Sequence, residues 1–130
     1  MAIIINQIFD FLKAQGLQPE KESYGISFLY QMADFVILED KEDDRFFRII
    51  MPNLMAVDEN NRTDVLEACN RVTKDVKLVK AYIVDGEGSG TVWLSTEQLL
   101  DKDPRFEDII PRSLRTLLAA HRIFEQTINE

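Results

Sequence analysis

The sequence predicts a two-layer α+β domain, in which about five strands form an antiparallel sheet and three helices cover it. Three segments carry apolar residues at intervals of three and four, which is typical of amphipathic helices, and five shorter ones are strand-like, most of them with alternating apolar residues. Short loops join consecutive strands, which favours antiparallel hairpins. The predicted order is α-β-β-β-α-β-β-α within a single domain spanning residues 1–130.

The first helix is predicted over residues 3–15, because apolar residues recur there at helical spacing and Gly16 follows as a stop signal. Ile4 and Phe11 widen the apolar surface beyond one stripe, so this helix is expected to be buried on most sides or to face a partner. The residues that define the periodicity are Ile5, Ile8, Phe9 and Leu12.

Three strands are predicted within residues 24–51. In the first, apolar side chains at every second position of Ile26–Met32 alternate with more polar ones. The second, Phe35–Leu38, is apolar on both faces and is therefore placed in the interior of the sheet. The connection at 39–44 is too charged to be buried, and Pro52 ends the third strand because proline donates no backbone hydrogen bond.

The second helix is predicted over residues 62–75. Asn61 is expected to cap its first turn, with Asp64 in a capping-box-like position. One apolar stripe is predicted along it, formed by Val65, Leu66, Cys69, Val72 and Val76.

Two further strands are predicted around residues 79–83 and 91–95, joined by the loop 85–90. Glycines at positions 86, 88 and 90 raise the alternative of a phosphate-binding loop. That motif requires a lysine and an entry into a helix, whereas Thr91 here begins a strand, so a hairpin loop is favoured.

The last helix is predicted over residues 104–128, with Asp103 as its cap and Pro104 at its first position. Pro111 disfavours the helical conformation of the residue before it, so a kink or a break is expected there. The predicted apolar stripe of this helix comprises Leu114, Leu117, Leu118, His121, Phe124 and Ile128.

Composition excludes several classes of protein. With 45% hydrophobic residues among 130, the chain can build one core, so neither two large domains nor a disordered chain fits. Its 15 basic and 23 acidic residues give a net charge of −8, which disfavours nucleic acids and anionic membranes as partners. One cysteine excludes an internal disulfide, and we expect neither a signal peptide nor a membrane span, so a cytoplasmic location is predicted.

No catalytic residue, metal ligand set or cofactor site is predicted. The acidic segment beginning at Asp40 fails the EF-hand pattern, since its sixth position is Arg45 and not glycine. Cys69 and His121 both lie on apolar stripes, so core packing is favoured over a nucleophilic pair. Carboxylates are numerous, and their number alone identifies no acid or base.

Four segments resemble the YbjN family of proposed bacterial sensory transduction regulators: Phe46–Pro52, Leu66–Asn70, Val79–Tyr82 and Ile110–Leu114. The resemblance implies a fold like that of type III secretion chaperones, which are small, acidic and dimeric. It also implies a binding or regulatory role, without naming a ligand or a catalytic residue.

The preferred hypothesis is therefore a non-catalytic interaction module, chaperone-like or regulatory, that forms a homodimer or binds a protein partner through an apolar groove or a sheet edge. The candidate partner-binding residues are Trp93 with its neighbours Val92 and Leu94, together with Ile4 and Phe11 of the first helix. For Trp93, packing beneath a helix remains an alternative. The alternative function is a small-ligand-binding domain or an enzyme with carboxylate chemistry, which would require a pocket with convergent polar groups.

Overall fold

The computed structural model describes residues 2–87 and 89–130. This part of the chain contains three helices and seven strands. In chain order they are α1 (Ala2–Ala14), β1 (Glu20–Glu22), β2 (Gly25–Tyr30), β3 (Ala33–Glu39), β4 (Phe46–Met51), β5 (Ala56–Val57), α2 (Arg62–Asp75), β6 (Val79–Asp85), β7 (Gly90–Leu99) and α3 (Phe106–Ile128).

One antiparallel sheet contains all seven strands, which confirms the predicted α+β class and the predicted order of the main elements. The strands run β1-β2-β3-β4-β7, and β6 pairs with the other side of β7. The short strand β5 pairs with the beginning of β7, on the side where β4 pairs further along. The sheet exceeds the predicted five strands because β1 and β5, of three and two residues, are too short to show an alternating pattern.

All three helices cover the same face of the sheet. Their buried side chains form one hydrophobic cluster with the inward-facing side chains of the strands. Because side chains alternate along a strand, the residues between these inward positions point to the opposite face. In the described part of the chain that opposite face carries no helix, and we call it the helix-free face.

The turn between β2 and β3 differs from the prediction for residue 32. Met32 was expected to continue the first strand, but it lies in a two-residue turn with Gln31 and is 99% exposed. Both residues have positive φ angles, 49° and 66°, which are typical of the turn that matches the twist of a tight hairpin. The apolar alternation therefore continues two residues beyond the end of β2 at Tyr30.

Helix α2 has the predicted bounds and Asn61 at its N-cap position, but not the predicted capping hydrogen bond. The Asn61 side chain makes no capping hydrogen bond to the helix. It accepts a hydrogen bond from the Asp58 backbone N–H at 2.9 Å and donates one to the Ala56 carbonyl at 2.9 Å, so it organises the preceding loop instead. Leu66 is exposed, and Ala68 takes its place in the buried stripe.

Helix α3 begins at Phe106, with Arg105 and not Asp103 at its N-cap. It continues through Pro111 to Ile128 as one helix, so the break, one of the two expectations at this proline, is wrong. Ile110 and Leu114, on either side of the proline, are both buried in the core. Their packing against the sheet holds the helix in register where the proline removes one backbone hydrogen bond.

Candidate partner-binding surface

The centre of the helix-free face is a shallow concavity of about 440 Å³. Cross-strand partners in an antiparallel sheet point to the same side, and the pairs Tyr82–Trp93 and Arg48–Glu97 place side chains of β4, β6 and β7 together here. The residues that line it are Leu38, Arg48, Ile50, Lys80, Tyr82, Trp93, Ser95 and Glu97.

The floor and one wall of this concavity are apolar. Ile50 is only 1% exposed, although no helix in the described part of the chain covers it. Tyr82 and Trp93, both half-buried, lie beside each other with ring centroids 6.4 Å apart and an interplanar angle of 55°. Such aromatic pairs are large apolar surfaces with a polar edge, which is why they are frequent in interfaces.

The position of the Trp93 ring is set by a hydrogen bond. Its indole Nε1–H donates to Asn53 Oδ1 at 3.3 Å. Asn53 has a left-handed backbone conformation with φ 57°, which asparagine tolerates better than most residues. The connection that follows β4 therefore orients the aromatic wall.

The other wall is charged. Glu97 lies between two cations, since Lys80 Nζ pairs with one carboxylate oxygen and Arg48 Nε lies 3.4 Å from the other. The hydrogen bond from Lys80, together with the positive charges of Lys80 and Arg48, holds the pKa of Glu97 below its ordinary value, against the smaller opposing effect of burial. The wall therefore carries two positive charges and one negative charge at neutral pH.

The edge at β6 is partly closed by side chains. The Ala81 backbone N–H donates to Thr73 Oγ1 of α2 at 2.9 Å instead of to a further strand. At the end of the same strand Arg62 contacts Asp85 through two hydrogen bonds, of 3.0 and 3.2 Å, and these hold the pKa of Asp85 below its ordinary value. Side chains that occupy an edge in this way disfavour the addition of another strand.

The structure separates the five residues that the sequence singled out. Trp93 lies on the helix-free face and not beneath a helix, whereas Val92 and Leu94 are fully buried on the helix-covered face. Strand β7 is interior and paired on both sides, so it is not the sheet edge that was one of the two predicted binding surfaces. Ile4 and Phe11 are half-buried against the core on α1, away from Trp93.

Sequence reasoning missed most of the residues that surround Trp93. For two of them the sequence does contain a signal. Leu38 in β3 and Ile50 in β4 make these strands apolar on both faces. In β3 this pattern predicts only an interior position in the sheet, which the structure confirms. In a two-layer domain the helices cover one face of the sheet, so a strand that is apolar on both faces leaves apolar side chains on the uncovered face. Such uncovered apolar side chains indicate a binding surface.

Cys69 and His121 occupy different environments. Cys69 is buried, and this burial raises the pKa of its thiol to about 11, which disfavours the reactive thiolate at neutral pH. His121 is half-buried, and its Nε2 lies 3.4 Å from Glu125 one turn further along α3. Within residues 2–87 and 89–130 no three His, Cys, Asp or Glu side chains are grouped closely enough to hold a metal ion.

A comparison with solved structures finds the same fold in YbjN of E. coli, which is named as a proposed transcription regulator. The TM-score is 0.72, and the match covers 92% of this chain and 87% of YbjN. This chain has a YbjN-like fold. The two sequences are only 8% identical, so the likeness concerns the fold and not the residues of the concavity.

No protein-family model matches the sequence, and no curated protein matches it either. None of the helices in the described residues has the length and apolar character needed to cross a bilayer.

Proposed function

We propose that this protein is a non-catalytic regulatory module that binds a protein partner through the helix-free face of its sheet. The observation that carries the proposal is the aromatic and apolar concavity around Ile50, Tyr82 and Trp93, which the fold leaves without a covering helix. The likeness to YbjN supports a regulatory role at the level of the fold.

The chemistry of the concavity indicates what a partner would present to it. An apolar or aromatic side chain would pack against Tyr82 and Trp93 and displace water from them. A carboxylate beside it would meet the positive charges of Arg48 and Lys80, whose attraction exceeds the repulsion from the single Glu97. The expected partner segment is therefore an apolar residue next to an acidic one.

A homodimer is the second form of this proposal. The same concavity on a second copy would place two apolar floors against each other across a two-fold axis, as in symmetric dimers generally. The net charge of −8 on each copy opposes this association, so it should strengthen as salt screens the repulsion.

Trp93→Thr tests the partner surface. Threonine keeps the strand propensity and removes the aromatic wall, so we expect the variant to fold and to lose the partner. The matched control is Leu66→Gln, which removes an exposed apolar side chain from α2 on the helix-covered side. Both variants and the unaltered chain are used as bait in lysate of the organism that encodes the protein, with quantitative mass spectrometry as the readout.

A protein captured by the unaltered chain and by Leu66→Gln, but not by Trp93→Thr, supports the proposal. Equal capture by all three baits contradicts it, as does a loss in both variants. Sedimentation equilibrium on the same three proteins, at low and high salt, tests the homodimer in parallel. Self-association that only Trp93→Thr abolishes identifies the second copy as the partner.

A further inference from the structure

A second concave region lies on the helix-covered side, between the first half of α3 and the end of β7, with a volume of about 710 Å³. It exists because β6 begins at Val79, which pairs with Thr96, while β7 continues past this point to Leu99. The α2–β6 connection closes the third side. We call this region the α3 cleft, and its volume is in the range of pockets that hold small molecules.

The floor of the α3 cleft is polar, although it continues an apolar face. Val92 and Leu94 point into the core, and the next two inward positions of β7 are Thr96 and Gln98. Gln98 Nε2 donates to Thr96 Oγ1 at 3.2 Å and to Ser113 Oγ of α3 at 3.0 Å. Since a hydroxyl that accepts a hydrogen bond still has its own hydrogen to donate, Thr96 is a candidate donor to a ligand.

The rim of the cleft favours an anion. Lys77 and Arg112 line it, and neither takes part in any ion pair formed within the described residues. The single acidic residue of the lining, Asp108, is already paired with Arg105 at 3.1 Å. Two unpaired cations therefore face the cleft, in a chain whose total charge is strongly negative.

The lip of the cleft is apolar and its backbone is strained. Leu78 has a φ of 65° and is 83% exposed, and a left-handed conformation costs leucine energy that glycine would not lose. The leucine at this position gives the cleft an apolar surface, together with Ile109 of α3. Strain at an exposed apolar residue that lines a cleft points to binding and not to folding.

We propose that the α3 cleft binds a small organic anion, in which one carboxylate is joined to a short apolar body. The carboxylate lies between Lys77 and Arg112 and accepts from Thr96, and the apolar body packs against Leu78 and Ile109. This site is on the opposite side of the sheet from the partner surface, so either proposal can fail without the other.

The probes are three six-carbon compounds that differ in charge: hexanoate, hexan-1-ol and hexylammonium. Each is titrated at neutral pH into the 15N-labelled protein, and the backbone amide shifts are followed by NMR. We expect hexanoate to shift the amides around Leu78, Thr96 and Ile109, and to bind about fivefold more tightly than hexan-1-ol. Hexylammonium should be weaker than both.

Equal affinities for the three probes would overturn the proposal, as would shifts scattered over the surface. Shifts confined to the helix-free face would also overturn it. The comparison of charges is informative because hexanoate has one apolar carbon fewer than the other two probes, so its tighter binding cannot come from a larger apolar contribution.

Two variants test the roles of the residues. Arg112→Gln should weaken hexanoate about fivefold and leave hexan-1-ol unchanged, and the control Arg115→Gln, an exposed arginine of α3 outside the cleft, should alter neither. Leu78→Gly should weaken hexanoate and hexan-1-ol in parallel without lowering the midpoint of urea unfolding, because glycine adopts the same φ without strain. An equal effect of Arg112→Gln and Arg115→Gln would mean that only the overall charge acts, which contradicts a site.

Discussion

Gly25 lies where the backbone of the neighbouring strand leaves no room for a side chain. Its φ is 146°, and a Cβ atom added there would lie 1.9 Å from the Ile37 carbonyl oxygen of the neighbouring strand. Because that oxygen belongs to the backbone of β3, the strand pair itself would have to move. The close approach of β2 and β3 therefore depends on glycine at this position.

Gly25→Ala should accordingly lower the free energy of unfolding by about 3 kcal/mol or more, since both the clash and the positive φ act against it. The matched control is Gly16→Ala, where φ is 87° and nothing lies within 4 Å of the added Cβ. Strain alone should cost the control about 1 kcal/mol. Urea unfolding of the two variants measures the difference, and equal losses would contradict the steric argument.

Single residues also show where local patterns mislead. Asn61 has the residue type and the position of a helix cap, yet its side chain is used by the loop that precedes the helix. Both arrangements satisfy the same amide, so the surrounding loop decides between them. The stop signal at Gly16 was correct, because a glycine in the left-handed conformation ends a helix through purely local hydrogen bonds.

At the scale of elements, the β2–β3 hairpin carries turn residues that fit its backbone poorly. Gln31 and Met32 occupy two successive positions of positive φ, for which asparagine and glycine are strongly preferred. The double substitution Gln31→Asn with Met32→Gly should therefore stabilise the protein by about 1 kcal/mol. Little packing is lost, because the Met32 side chain is exposed.

The expected rise in the thermal midpoint is roughly 4 °C, measured by circular dichroism. A control that makes the same type of change outside a turn, Leu29→Gly in β2, should lower the midpoint. An unchanged or lower midpoint in the double variant would show that the native residues of the turn contribute contacts that outweigh their strain.

Helix α3 shows how packing overrides a local signal. Pro111 disfavours the helical conformation of Ile110, which by itself predicts a kink or a break, and it donates no backbone hydrogen bond to the first turn. The apolar stripe on both sides of the proline is buried against β4 and β7 as one continuous surface. Burial of several large side chains outweighs the cost of one missing bond, so the helix continues.

At the scale of the whole molecule, one hydrophobic cluster joins all three helices to the sheet. No part of the described chain has a separate core, so we predict that residues 1–130 unfold as a single cooperative domain. Trp93 fluorescence reports on the sheet, and far-UV circular dichroism reports chiefly on the helices. The two urea transitions should coincide, and separate midpoints would contradict a single domain.

The two-layer architecture also decides which side chains remain available to other molecules. With three helices on one face, half of the alternating positions in every interior strand are left uncovered. Trp93 belongs to that half, while its neighbours Val92 and Leu94 belong to the core. Successive side chains of a strand point to opposite faces, so residues 92, 93 and 94 cannot all belong to one binding surface, although the sequence hypothesis placed them together.

The sequence by itself determined the helices, the five longer strands and the fold class. Helical and alternating spacings, the glycine stop after α1 and the proline after β4 act within a few residues, so they can be recognised without a structure. Only the tertiary structure decided which face of the sheet the helices cover, how the short strands β1 and β5 pair, and that the α3 cleft and the concavity beside Trp93 exist. These features depend on contacts between residues far apart in the chain, and such contacts follow from the packing of whole elements and not from local spacing.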